Sequence, residues 1–385
     1  MSTLAEEIAA RLAATAVERD QRGGTAKTER DLLRASGLLR LSTPVEHGGG
    51  GASWTTTLDV VRTLARADGS LAHLFGFHHL LLATVRLFGA RAQWVRAYEE
   101  SAQHSYFWGN ALNPLDPRTT IAPAADGFVL NGGKSFCSGA SDSDRLVVSA
   151  LREDGKLVIA AIPTARAGIT VHQDWDNMGQ RQTDSGSVDF AGVHVGEDEL
   201  LRTPGPLGSI WASLRPCIAQ LVLANVYLGL AEGAFAHARA YTKAQTKPRS
   251  SSAAAAGTVA ANDPYVLRDY GSLYADLQGA RLCTDAAGAA LDRSWNRHDE
   301  LTARERGETS IAVATAKALT TRVGLEVASR VFDLTSARAT TRKDGFDRFW
   351  RNLRVHTLHD PVDYKLRELG EFALSDVIPT PSFYS

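Results

Sequence analysis

The sequence predicts an α+β fold, mainly helical, in three parts. These are an N-terminal helical domain over residues 1–112, a small central β-barrel or β-sandwich domain over 113–204, and a C-terminal four-helix bundle over 205–385. Three observations predict it. Apolar residues step at helical spacing through the first block, beginning with Leu4, Ile8, Leu12 and Ala16. Asn113-Pro114-Leu115-Asp116-Pro117 breaks the pattern with two prolines, and alternating apolar runs follow to about Leu201. After Thr203-Pro204-Gly205-Pro206 the chain returns to long helical segments near 208–243, 264–297, 303–338 and 360–376.

Each element has its own signal. Leu32, Leu33, Leu38 and Leu39 resume the helical pattern after Gly23-Gly24. Leu58, Val61, Leu64 and Ala65 share one helix face, which Asp68-Gly69 ends. Residues 70–87 are apolar nearly all round, which predicts an interior helix. Phe128-Val129-Leu130 runs into Asn131-Gly132, a hairpin signal. Glu153-Asp154-Gly155 marks a second hairpin, and Ser187-Val188-Asp189-Phe190 with Val193-His194-Val195 reads as a further strand pair. Thr302-Ala303-Arg304-Glu305 is a capping box. Residues 250–261, rich in Ser, Ala and Gly, read as a mobile surface loop.

Composition narrows the function. Lys plus Arg number 42 against 43 for Asp plus Glu, so no bulk basic field calls for nucleic acid or an anionic membrane. Cys137, Cys217 and Cys283 form no CxxC pair, which excludes a disulfide scaffold and a thiolate zinc cage and fits a reducing cytoplasm. The first seven residues lack the basic and apolar regions of a signal peptide. The apolar stretch 218–236 carries Gln220, Asn225 and Glu232, so it reads as a buried helix, not a membrane span.

Chemistry-bearing motifs are few. No GxGxxG follows a strand, so a nicotinamide site is not expected. No metal set is expected either: the adjacent His78 and His79 point about 100° apart on a helix, one buried and one at the surface. Three segments concentrate unusual residues. Trp108-Gly109-Asn110 suits the polar edge of a planar ring, or Asn110 caps a helix end. Lys134 to Ser141 offers backbone amides and Ser138, or is a plain turn. Arg348 to Pro361 places His356 and His359 on one helical face, with Asp360-Pro361 opening the last helix. Arg338, Arg342, Arg348, Arg351 and Arg354 make this region basic, as a solvated face or a phosphate site. Trp175 and Arg181-Gln182-Thr183-Asp184-Ser185-Gly186 face a ring edge, or form a β-turn in which Asp184 and Ser185 bond their own backbone.

Taken together, these segments resemble the acyl-CoA dehydrogenase superfamily, in its flavin-dependent monooxygenase branch that serves desulfurisation. The carriers are Ala67-Asp68-Gly69-Ser70-Leu71 with His73-Leu74-Phe75-Gly76, Phe136-Cys137-Ser138-Gly139, and Arg181 through Ser187. Further carriers are Ala224-Asn225-Val226-Tyr227-Leu228-Gly229, Gly345 through Asn352, and His356-Thr357-Leu358-His359-Asp360-Pro361. The resemblance implies FMN, taken up as FMNH2 from a separate NAD(P)H:flavin reductase. It implies that O2 adds at C4a to give a C4a-hydroperoxyflavin. The oxygen then passes to a hydrophobic small-molecule substrate, the sulfur of an aromatic thioether such as dibenzothiophene or benzothiophene, giving sulfoxide or sulfone.

Residue by residue, the resemblance implies that His359, Ser138 and His73 are catalytic, with His359 and Ser138 beside the reacting flavin edge. It implies that Asn110, Ala111, Phe77, Trp175 and Ser185 border the flavin, and that Lys134, Ser135, Phe136, Cys137 and Ser138 with Ala337 line its ring and ribityl chain. Lys247 or Arg249, with Arg338, would hold the phosphate, partly across the subunit boundary of a homotetramer. Phe77 stands where these relatives carry Tyr, and Lys247 stands for an Arg. The dehydrogenases of the superfamily use a carboxylate and FAD; here the matching stretch has His359 and no Glu, and their glycine turn is reduced to Ser336-Ala337-Arg338-Ala339. Oxygenation of an amine or an indole, dehydrogenation of an acyl-CoA, and a non-catalytic scaffold are the competing expectations.

Overall fold

The computed structural model describes residues 2–244 and 259–385. Five helices open the chain: α1 (Ser2–Arg22), α2 (Lys27–Ser36), α3 (Trp54–Ala67), α4 (Gly69–Phe88) and α5 (Arg91–His104). Helix α4 is the axis of this part, and its residues are buried on every side, as its unbroken apolar run predicts. Asp68 starts it by accepting from Ser70 N at 2.9 Å and Leu71 N at 3.0 Å. The same carboxylate takes Arg19 Nη1 of α1 at 2.5 Å. His78 and His79 are both buried, contrary to the expectation of one at the surface: a helix covered all round has no outer face. His78 bonds Leu39 O at 2.6 Å and His79 bonds Ser42 Oγ at 2.7 Å.

Seven strands form one curled sheet: β1 (Trp108–Ala111), β2 (Thr120–Ala124), β3 (Gly127–Lys134), β4 (Arg145–Leu151), β5 (Leu157–Pro163), β6 (Ile169–Val171) and β7 (Val188–Val195). Their order is β1-β4-β2-β3-β7-β6, with β5 paired to β4. Asn110 therefore does not cap a helix; it sits in β1, which runs parallel to β4. Asn131-Gly132 is not a turn. It lies inside β3 at a register shift against β7, where Gly132 takes φ 112°. A bulge and a tight turn both need a residue at positive φ, so one dipeptide serves either. The 2–3 turn falls between Ala124 and Gly127, and β7 is a single strand where two were expected. The hairpin at Glu153-Asp154-Gly155 forms as expected.

The C-terminal bundle contains α6 (Arg215–Ala244), α7 (Pro264–Arg297), α8 (Ala303–Thr335), α9 (Asp347–His356) and α10 (Val362–Ser375). Thr302 and Glu305 close the predicted capping box, with Thr302 N donating to Glu305 Oε2 at 2.9 Å. His356 and His359 do not share a helical face: α9 ends at His356 and the chain turns. Asp360 does not cap α10 either, because its buried carboxylate accepts from Gln220 Nε2 at 2.7 Å. Gly69–Phe88 and Ala212–Ala244 are long and apolar enough to cross a membrane, but they are 94% and 83% buried within the protein. The loop expected over 250–261 lies largely outside the described residues, as do Lys247 and Arg249.

Candidate active site

Ser138 follows β3 and lies buried beside Ser185, with 2.7 Å between their hydroxyl oxygens. Direction in this chain of hydroxyls is fixed by its far end. Thr183 Oγ1 donates to Gln180 O at 2.9 Å, since a carbonyl only accepts. Ser185 must then donate to Thr183 at 2.8 Å, and Ser138 must donate to Ser185. Ser138 Oγ is left with free lone pairs to accept a proton from an N–H. The β-turn expected at Asp184-Ser185 is thus replaced by longer-range bonds: Asp184 faces Thr25 at 3.1 Å and buried Arg30 at 3.5 Å.

A second cluster is built from histidines and a lysine. His73 on α4 and His356 at the end of α9 meet with ring centroids 4.6 Å apart. His73 Nδ1 and both ring nitrogens of His356 are buried with no partner among the described residues. Burial pushes His73 down to about 3, with His359 adding to the effect. Burial likewise pushes His356 well below the ordinary histidine value, aided by His73, His359 and Lys317. Behind them Lys317 of α8 is wholly buried, and its Nζ donates to Tyr227 Oη at 3.2 Å. Tyr227 donates in turn to His356 O at 2.8 Å. Burial brings Lys317 down to about 7 against the pull of Asp360. His359 differs, being exposed to solvent. Desolvation and the cations Lys317 and Arg215 lower it below the ordinary histidine value.

The two clusters are tied by one loop. Gln182 N donates to Ser70 Oγ at 3.4 Å, and Ser70 is one turn before His73 on α4. Gln180 N donates to Asn352 Oδ1 at 2.6 Å, and Asn352 is one turn before His356 on α9. The loop that carries Ser185 is therefore pinned to both histidine-bearing helices. Trp175 is pinned to the same loop through Nε1 and Gln180 O at 2.8 Å. Phe136, 60% exposed at φ 59°, meets the Trp175 ring edge at 6.0 Å.

Other expected residues are placed as follows. Phe77 lies tilted against His73, with ring centroids 4.0 Å apart. Asn110 N bonds Ser138 O at 3.0 Å, and its side chain accepts from Leu112 N. Ala111 and Cys137 are in the core of the β domain, where burial pushes the Cys137 thiol up to about 12. Lys134 is buried with Nζ on Asn113 O at 3.1 Å, and Ser135 accepts from Arg118 at 2.7 Å. Ala337 and Arg338 are exposed on the bend after α8. A cleft opens between α1 and α9, and a second, smaller one beside it is lined by Ser70, Gln182 and Asn352, the residues that pin the serine loop to both histidine-bearing helices. Phe75, Leu80 and Leu81 belong to the core.

Lys317 and Arg215 were not singled out from the sequence, and Gln220 and Tyr227 were noted without a role at the site. A signal existed for Lys317: it occupies the buried stripe of α8 with Val313, Thr320, Thr321 and Gly324, at helical spacing.

Residues 1–103 match the acyl-CoA dehydrogenase N-terminal domain, 111–193 its middle domain and 221–364 its C-terminal domain. The chain belongs to the acyl-CoA dehydrogenase family. Within that family it falls in the flavin-dependent monooxygenase branch. The probable FMNH2-dependent monooxygenase SfnC of Pseudomonas putida is 55% identical over 384 residues, covering 99% of this chain and 96% of that protein. The structure of methanesulfinate monooxygenase MsuC from Pseudomonas fluorescens superposes with a TM-score of 0.97 at 53% identity, covering 100% of this chain and 99% of that one. FMN-bound TdsC from Paenibacillus sp. A11-2 gives 0.94 at 43% identity, with 100% and 99% covered; TdsC is a dibenzothiophene monooxygenase.

Proposed function

We propose that this member of the family is an FMNH2-dependent monooxygenase that oxygenates sulfur in a small organosulfur anion of the sulfinate class. The carrying observation is the likeness over the whole chain to a methanesulfinate monooxygenase, at 53% identity against 43% for TdsC; the cations Lys317 and Arg215 that act on His359, beside histidine nitrogens with no partner among the described residues, give a field that suits an anion. Asp360 offsets part of that field but is itself held by Gln220.

The orphaned nitrogens of His73 and His356 and the exposed ring of Phe136 fit a bound planar polar group. Ser138, Ser185, Asn110, Phe136 and Trp175 would hold the FMN ring, and Arg338 its phosphate. Reduced FMN supplies the two electrons and two protons that convert O2 and a sulfinate into a sulfonate and water. Ser138, fixed as an acceptor, favours the N–H of the reduced ring over the bare nitrogen of the oxidised one. His73 and His356 stay neutral, so they offer N–H groups without adding charge. His359, exposed to solvent, donates, and Lys317 can return a proton near neutral pH. Phe77 gives His73 an apolar cover that excludes water.

This reading includes a separate NAD(P)H:flavin reductase and a homotetramer, the latter tested by light scattering on the eluted protein. The aromatic thioether is the second reading, favoured by TdsC and by the Phe77–His73 ring contact. The test supplies the protein with a flavin reductase, NADH and O2, and compares methanesulfinate with dibenzothiophene. Sulfonate from the first and little sulfoxide from the second is expected; the reverse ratio overturns the sulfinate assignment.

A further inference from the structure

Of the arginines crowding residues 338–354, the flavin reading uses only Arg338. Arg342, Arg348 and Arg351 border a cleft of about 320 Å³ between the end of α1 and the start of α9, where Arg181 joins them against Asp20 and Asp347. Gly345 makes the approach possible: it takes φ 61°, and a Cβ there would fall 2.6 Å from Val17 of α1.

Both carboxylates are already committed. Arg351 pairs with Asp20 through Nη2 and with Asp347 through Nε at 2.8 Å. Arg181 is held by Asp20 O at 2.7 Å and Asn177 O at 3.2 Å. Arg348 is only 7% exposed, yet it has no ion pair among the described residues. Its one hydrogen bond there runs from Nη1 to Gly345 O at 2.8 Å, and its guanidinium lies 4.0 Å from the Phe349 ring centre. Arg342 is exposed, and its guanidinium has no partner among the described residues; only its carbonyl is used, by Gln21. Asp68, Asp20 and Asp347 act on the Arg348 charge from a distance, but all three are bonded to Arg19 or Arg351, so this nearly buried guanidinium keeps room for a directly bonded anion. The cleft is large enough for a tetrahedral oxyanion with room for an attached group.

We propose that this cleft is an anion site that binds a tetrahedral dianionic oxyanion, gripped by Arg348 from within and Arg342 from the rim. The chemistry is shared by free sulfate or phosphate and by the terminal phosphate of a mononucleotide. It is separate from the flavin reading, which assigns the phosphate of FMN to Arg338.

Titration calorimetry on the full chain tests it, with sulfate, phosphate and AMP at ionic strength held constant with chloride. Saturable binding is expected, weakened roughly tenfold in Arg342→Gln and more in Arg348→Gln. Arg342→Gln is the safeguard, since that side chain is exposed and its loss does not threaten folding. AMP binding more tightly than phosphate assigns the site to a nucleotide phosphate; equal or weaker AMP binding assigns it to the free oxyanion. Heat no greater than that of chloride overturns the site, as does affinity unchanged in both variants. Binding abolished by Arg338→Gln also overturns it, because the anion would then occupy the flavin phosphate position.

Discussion

His73 and His356 meet edge to face, 4.6 Å between ring centroids, although one lies on α4 and the other closes α9. The contact joins the N-terminal helices to the C-terminal bundle at the point where both rings keep nitrogens without a partner among the described residues. Two pinned turns upstream, Ser70 with Gln182 and Asn352 with Gln180, hold the serine loop against the same pair.

Acid should destabilise the protein through these rings. Burial holds His73 at about 3 and His78 at about 4, and lowers His79 and His356 in the same direction. Below about pH 6.5 the unfolded chain takes up protons that the native chain refuses. Stability therefore falls as pH drops from about 6.5 toward 3. Melting temperatures measured from pH 7 to 4 should decline less steeply in His356→Asn than in the parent. Parallel slopes would show that His356 titrates normally in the fold.

Lys317 acts with the same sign in a higher pH window. The unfolded chain keeps its proton to about 10.5 and the native chain only to about 7, so stability rises with pH across that interval. Lys317→Met should flatten this rise and be neutral to stabilising at pH 6, as replacement of a buried charge by an apolar group often is. It should also raise KM for methanesulfinate more than for dibenzothiophene. An unchanged KM ratio removes Lys317 from substrate recognition.

Thr183 sets the direction of the hydroxyl chain that ends at Ser138. Thr183→Val removes the acceptor for Ser185 and lets Ser138 turn either way. The preference for FMNH2 over FMN should fall roughly fivefold, the worth of about 1 kcal/mol from one hydrogen bond. Thr183→Ser should restore it. Anaerobic and aerobic flavin titrations measure both affinities, and a preference that survives Thr183→Val contradicts the assignment.

His359 is exposed, so His359→Ala should leave the melting temperature unchanged. Product per NADH should fall while hydrogen peroxide release rises, because a donor at the reacting centre is lost. Unaltered coupling would remove His359 from the chemistry.

The helical parts of the fold were legible because period and burial coincide, as along α4 and α6. Asn131-Gly132 misled because a bulge asks for the same residues as a turn. The break after His356 left no mark, since Thr357 and Leu358 continue a helix as readily as they end one. Ser138 and Ser185 stood out by motif, but their bond across 47 positions had no local sign. Lys317 was hidden because a lysine reads as surface unless its stripe is inspected. The arginine-rich stretch was visible, and only the structure separates Arg351, paired with Asp20, from Arg348, which has no ion pair among the described residues.

The most direct measurement supplies the purified protein with a flavin reductase, NADH, FMN, methanesulfinate and ¹⁸O2, and weighs the product. A monooxygenase acting on sulfur yields sulfonate carrying one ¹⁸O atom, with the second in water. Sulfonate without label, or no sulfur product beside tightly bound FAD bleached by an acyl-CoA, would contradict the account and point to dehydrogenation.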